Sequence, residues 1–82
     1  MDKKLFEKVS KELKKALKGY KGYNILYSQS YGGQLELKVS DKKLWSTLDN
    51  ENSKLFKSIV DIIYDNDLEY EFNLYNIVIY EE

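Results

Sequence analysis

The chain has 82 residues, 43% of them hydrophobic and 33% charged, which allows one small folded domain and argues against wholesale disorder. It has no Cys, His or Pro and all 13 basic residues are Lys, so disulfides, thiol nucleophiles, zinc sites of the usual ligands and histidine proton shuttles are excluded. The formal net charge of −1 hides a gradient, about +5 over residues 1–21, +1 over 22–57 and −7 over 58–82.

Residues 3–18 read as an amphipathic helix, because Leu5, Phe6, Val9, Leu13, Ala16 and Leu17 recur at spacings of three and four. Asp2 suits its N-cap and Gly19 the left-handed position that ends it. Residues 22–31 and 34–40 alternate as a β-hairpin, with Tyr23, Ile25, Tyr27 and Tyr31 on one face of the first strand and Leu35, Leu37 and Val39 on one face of the second. Gly32-Gly33 predicts a two-residue turn between them. Ser40 or Asp41 can cap a short helix over 42–48 that seats Trp45 in the core. Asp49 or Asn50 can cap a second main helix, about 51–65, whose apolar stripe comprises Leu55, Phe56, Ile59, Val60, Ile62 and Ile63. Residues 68–80 alternate again and fit one long strand, with a hairpin turning at 73–76 as the alternative. The expected fold is therefore α+β: an antiparallel sheet of three to four strands with two main helices on one face, ordered α-β-β-(short α)-α-β(-β), in a single domain spanning 1–82.

Absent Pro and Arg and a single Ala, against many Lys, Asn, Tyr and Ile, match the codon bias of an AT-rich genome such as that of a low-GC bacterium or its phages. Lacking Arg, the chain offers no planar two-donor fork for guanine or phosphate. The longest apolar run is four residues, Ile77 to Tyr80, and no basic-then-apolar leader opens the chain, so a cytoplasmic protein is expected. No motif for a nucleophile, phosphate loop, metal or cofactor is present, so neither enzymatic activity nor a cofactor is expected. At this size stability should be modest, and a homodimer or a partner would add to it.

The most unusual segment is acidic. Asp61 and Asp65 fall in the last turns of the second main helix, where the macrodipole disfavours anions. Asp67, Glu69 and Glu71 then alternate along a strand at a repeat of about 6.7 Å. Local choices that oppose stability point to a site. Asp65-x-Asp67-x-Glu69 starts like a calcium-binding EF-hand loop, but Tyr70 and Asn76 stand where that loop needs Gly and Glu. Paired carboxylates for hydrolysis need a cleft, which an exposed strand lacks. A ladder of carboxylates can instead meet a basic channel that normally holds nucleic acid. The bland alternative is that these acids face the lysines of the first helix, or solvent.

Two other features bear on partners. Lys4, Lys8, Lys11, Lys15 and Lys18 share the polar face of the first helix and can grip a phosphate backbone, or simply be solvated. Among eight tyrosines, Tyr23, Tyr27 and Tyr31 read mainly as half-buried core, whereas an outward Tyr75 would be an interface anchor. The leading expectation is a small protein-binding inhibitor whose Asp61, Asp65, Asp67, Glu69, Glu71 and Tyr75 meet a basic, nucleic-acid-handling host protein. In size, composition and charge layout such a chain resembles phage-encoded anti-defence inhibitors such as anti-CRISPR proteins. The alternatives are a nucleic-acid-binding accessory protein using the Lys face and a toxin-neutralising immunity protein.

Overall fold

The computed structural model describes all residues, 1–82. Asp2 accepts a hydrogen bond from the Leu5 amide at 2.8 Å and starts helix α1, Lys3–Ala16, which Gly19 closes off at φ 91°. Strands β1 (Tyr23–Ser28) and β2 (Gln34–Val39) follow as an antiparallel hairpin. Asp41 caps the short helix α2, Lys42–Leu48, and Ser53, further along than expected, caps α3, Lys54–Asp65. Strands β3 (Glu69–Asn73) and β4 (Asn76–Tyr80) complete a four-stranded antiparallel sheet in the order β1-β2-β4-β3. This is the α+β architecture that the periodicities imply, with β1 and β3 as its edges. No helix is long and apolar enough to cross a membrane.

Of the two readings of 68–80, one long strand or a hairpin turning at 73–76, the chain adopts the hairpin, with Asn73 opposite Asn76. The reason lies in parity. A continuous strand would align Val78 and Tyr80 with Phe72 and leave Ile77 and Ile79 on the face of Glu69 and Glu71. Reversing the chain through Leu74 and Tyr75 pairs Phe72 with Ile77 and Tyr70 with Ile79, so both isoleucines become fully buried. The left-handed turn position is taken by Tyr75 at φ 60°, an uncommon conformation for a bulky residue, held by its ring packing on Trp45 at 5.6 Å and by its carbonyl accepting from the Val39 amide at 2.9 Å.

The first hairpin also departs from expectation. Ser28 pairs with Gln34, so its connection is five residues long and contains a 3₁₀ turn, Ser30–Gly32, rather than a two-residue turn. The widened loop receives Met1, whose ammonium donates to the carbonyls of Gly32 and Gly33 (3.0 and 3.1 Å) and pairs with Glu81 at 2.7 Å. A Cβ at Gly33, which has φ 108°, would collide with the Met1 carbonyl oxygen. Tyr31 leaves the strand face altogether, at φ 53° and 94% exposed.

One face of the sheet packs under the helices. Leu35, Leu37, Val39, Ile77 and Ile79 meet Val9, Leu13 and Leu17 of the first helical segment, Leu44, Trp45 and Leu48 of α2 and Leu55, Ile59 and Ile63 of α3. These hydrophobic stripes fix every exposed position by exclusion, because alternation sends Leu26, Glu36, Val78 and Glu71 to the opposite, helix-free face along one cross-strand row.

Candidate functional site at the β3 edge

The acidic segment wraps around edge strand β3. Asp61 and Asp65 lie on the exposed outer surface of α3, opposite its buried Leu55, Ile59 and Ile63. Asn66 ends the helix, and Asp67, exposed and left-handed at φ 57°, redirects the chain into the strand. Glu69 and Glu71 then alternate with Tyr70 and Phe72, which pack against the core, and so belong to the helix-free face. The five carboxylates thus flank the β3 edge from both layers and do not form one ladder. Glu36 of β2 joins Glu71 on the helix-free face, in the same row as Leu26 and Val78, while Tyr80 lies opposite Glu69 in the next row. Glu36 escapes a reading along the chain because the β2–β4 pairing that brings it there is non-local.

None of these five carboxylates is neutralised internally. The chain forms two ion pairs, Met1–Glu81 and the looser Lys38–Glu36 at 3.6 Å, and neither involves Asp61, Asp65, Asp67, Glu69 or Glu71. Helix α1 approaches the acidic segment without clasping it: Lys8 Nζ donates to Asn66 Oδ1 at 2.6 Å, and Asn66 Nδ2 donates to Glu12 Oε1 and to the Ile62 carbonyl, both at 2.8 Å. Lys4, Lys8, Lys11 and Lys15 are exposed on the far side of that helix from its buried Val9 and Leu13, and Lys18 is exposed in the turn that follows it. No cluster of three or more carboxylates converges at metal-binding distance.

Tyr75 is not beside these acids. It sits half-buried on Trp45, beyond Asn73, at the opposite end of β3 from Asp67 and Glu69. The aromatic surface that does accompany the acids is a run of rings on the helix side of β3: Tyr64 to Tyr70 at 6.0 Å, Tyr70 to Phe72 at 5.7 Å, Phe72 to Phe56 at 5.7 Å and to Trp45 at 5.6 Å. Burial raises the pKa of Tyr70, with further upward pushes from the neighbouring Tyr64 hydroxyl and from the negative charges of Glu51 and Glu69.

With the geometry in place, comparison against protein-family models, curated proteins and solved structures gives no match.

Proposed function

We propose that the protein is a small non-enzymatic inhibitor or regulator that binds another protein, presenting the β3 edge to a basic surface that otherwise holds nucleic acid. The observation that carries this reading is the unpaired state of Asp61, Asp65, Asp67, Glu69 and Glu71 in a chain with 13 lysines to choose from. Charges retained without an internal partner cost folding free energy through mutual repulsion. That cost is offset when a cationic partner arrives, because complementary potentials steer association and fix register. The carboxylates flank an edge strand from two layers. The composition matches an AT-rich genome such as that of a low-GC bacterium or its phages, a setting compatible with an anti-defence inhibitor of a nucleic-acid-handling host protein.

The test is capture from the lysate of a low-GC bacterium on immobilised protein, followed by elution with double-stranded DNA. Mimicry predicts that the captured protein binds nucleic acid, is released by DNA, and is lost when Asp67→Asn, Glu69→Gln and Glu71→Gln are combined. Capture that survives this triple substitution removes the acidic edge from the account. Direct, salt-sensitive binding of the wild-type chain to DNA would instead transfer the function to Lys4, Lys8, Lys11, Lys15 and Lys18.

A further inference from the structure

Between α2, α3 and the edge strand β3 lies a groove of about 420 Å³, lined by Asp49, Glu51, Phe56, Tyr70 and Phe72. Its volume falls in the range of small-ligand pockets. Its chemistry is one-sided, with two carboxylates, three aromatic rings and no cationic side chain. The rings are inclined as walls: Phe56 meets Phe72 at 59° and Tyr70 meets Phe72 at 70°, with centroids 5.7 Å apart in both pairs. Neither Asp49 nor Glu51 takes part in an ion pair. Asp49 also occupies the C-cap of α2, where the helix carbonyls already place negative partial charge, so a local cation is the group this corner lacks. Burial raises the Tyr70 pKa first, and the charge of Glu51 adds a smaller push in the same direction, which places Glu51 near the ring.

From this arrangement we propose that the groove accepts the guanidinium or ammonium side chain of a protein partner, seated against the ring faces of Phe56, Tyr70 and Phe72 and held by Asp49 and Glu51. Ring quadrupoles and carboxylates attract the same group, with Asp49 and Glu51 exposed at the rim and the half-buried rings forming the drier wall. A protein side chain fits better than a free cation because the groove runs along β3, whose outer main-chain groups have no neighbouring strand. An approaching segment therefore finds hydrogen-bonding groups beside the pocket that takes its side chain. The inference rests on the proposed binding of a basic protein and deepens it by naming the anchor, which lies on residues separate from Asp67, Glu69 and Glu71.

The test uses the N-acetylated, C-amidated tripeptide Gly-Arg-Gly as probe, the same capped peptide with citrulline for Arg as its uncharged counterpart and spermidine as a free cation, each titrated into ¹⁵N-labelled protein and followed by NMR. Gly-Arg-Gly is expected to shift the amides of 49–56 and 70–72 saturably, with the citrulline peptide at least about tenfold weaker. Asp49→Asn with Glu51→Gln should weaken binding about fivefold or more. Phe56→Leu, which keeps the apolar volume and removes a ring face, should weaken it severalfold while the spectrum stays dispersed. Equal binding of the citrulline peptide, or binding unchanged in both variants, overturns the proposal. So does tighter binding of spermidine, which would make the groove a site for free cations. Shifts confined to Glu69 and Glu71 overturn the groove and leave the inhibitor reading standing. Conversely, groove binding together with lysate capture that ignores the Asp67, Glu69 and Glu71 substitutions would refute that reading and leave the groove.

Discussion

Neutralising the carboxylates of α3 and β3 is expected to stabilise the fold, the opposite of what removing paired charges does. Asp61 and Asp65 are four residues apart on α3, a like-charge spacing that costs about 0.2–0.5 kcal/mol. Asp65 is also the last residue of that helix, where an anion opposes the macrodipole by about 0.3–1 kcal/mol. Glu69 and Glu71 are successive residues on one strand face, roughly 6.7 Å apart, which in water amounts to about 0.6 kcal/mol before salt screening and about half that at physiological ionic strength. The variant carrying Asp61→Asn, Asp65→Asn, Glu69→Gln and Glu71→Gln should therefore gain about 1 kcal/mol. For a domain of this size that corresponds to a rise in Tm of roughly 4–8 °C. Calorimetry at 20 mM NaCl reads the gain directly, and repeating it at 1 M NaCl, where the Debye length is about 3 Å, should erase most of it. A variant less stable than wild type at low salt would refute the reasoning, because it would mean that the carboxylates are internally paired.

Four further outcomes follow from particular contacts. Leu37→Ala, at a fully buried sheet position, should cost about 2–5 kcal/mol by urea denaturation, a large share of the total stability of a domain this small. Gly33→Ala should cost more than Gly32→Ala: both need positive φ, but only at Gly33 does the new Cβ meet the Met1 carbonyl, whereas Gly32 has open space around it. Ser53→Ala should lose about 0.5–2 kcal/mol, since that hydroxyl caps the Phe56 amide at 3.0 Å and donates to the Thr47 carbonyl at 2.7 Å. Tyr70 has a raised pKa in the folded chain, so the folded state holds this proton more tightly than the unfolded one; its contribution is complete below the ordinary tyrosine range near pH 10 and is lost as pH rises through the folded value. Alkaline denaturation of Tyr70→Phe should accordingly be shallower above about pH 10 than that of wild type.

Helices and the first strand pair were legible because their signals are local. Asp2 and Asp41 cap the helices they precede, and apolar spacing in 5–17 marks the buried stripe of α1. The β3–β4 turn was legible only as an alternative to one long strand, since Leu74-Tyr75 carries no glycine and its strain is held by a tertiary contact with Trp45. The wider first turn was hidden for a similar reason, as Met1 fills it from about thirty residues away. Of the site, the acidic residues were visible as a charge run, but their separation onto two layers depended on the turn at Asn66 and Asp67. The groove of Asp49 and Glu51 against Phe56, Tyr70 and Phe72 joins three elements whose proximity no spacing rule encodes.

The most direct measurement is the NMR footprint of the captured partner on the ¹⁵N-labelled chain. The account predicts that line broadening and shift changes concentrate in 61–73 with the groove residues 49–56, leaving 3–18 unaffected. A footprint centred on the lysines of α1, with the β3 edge untouched, would contradict it.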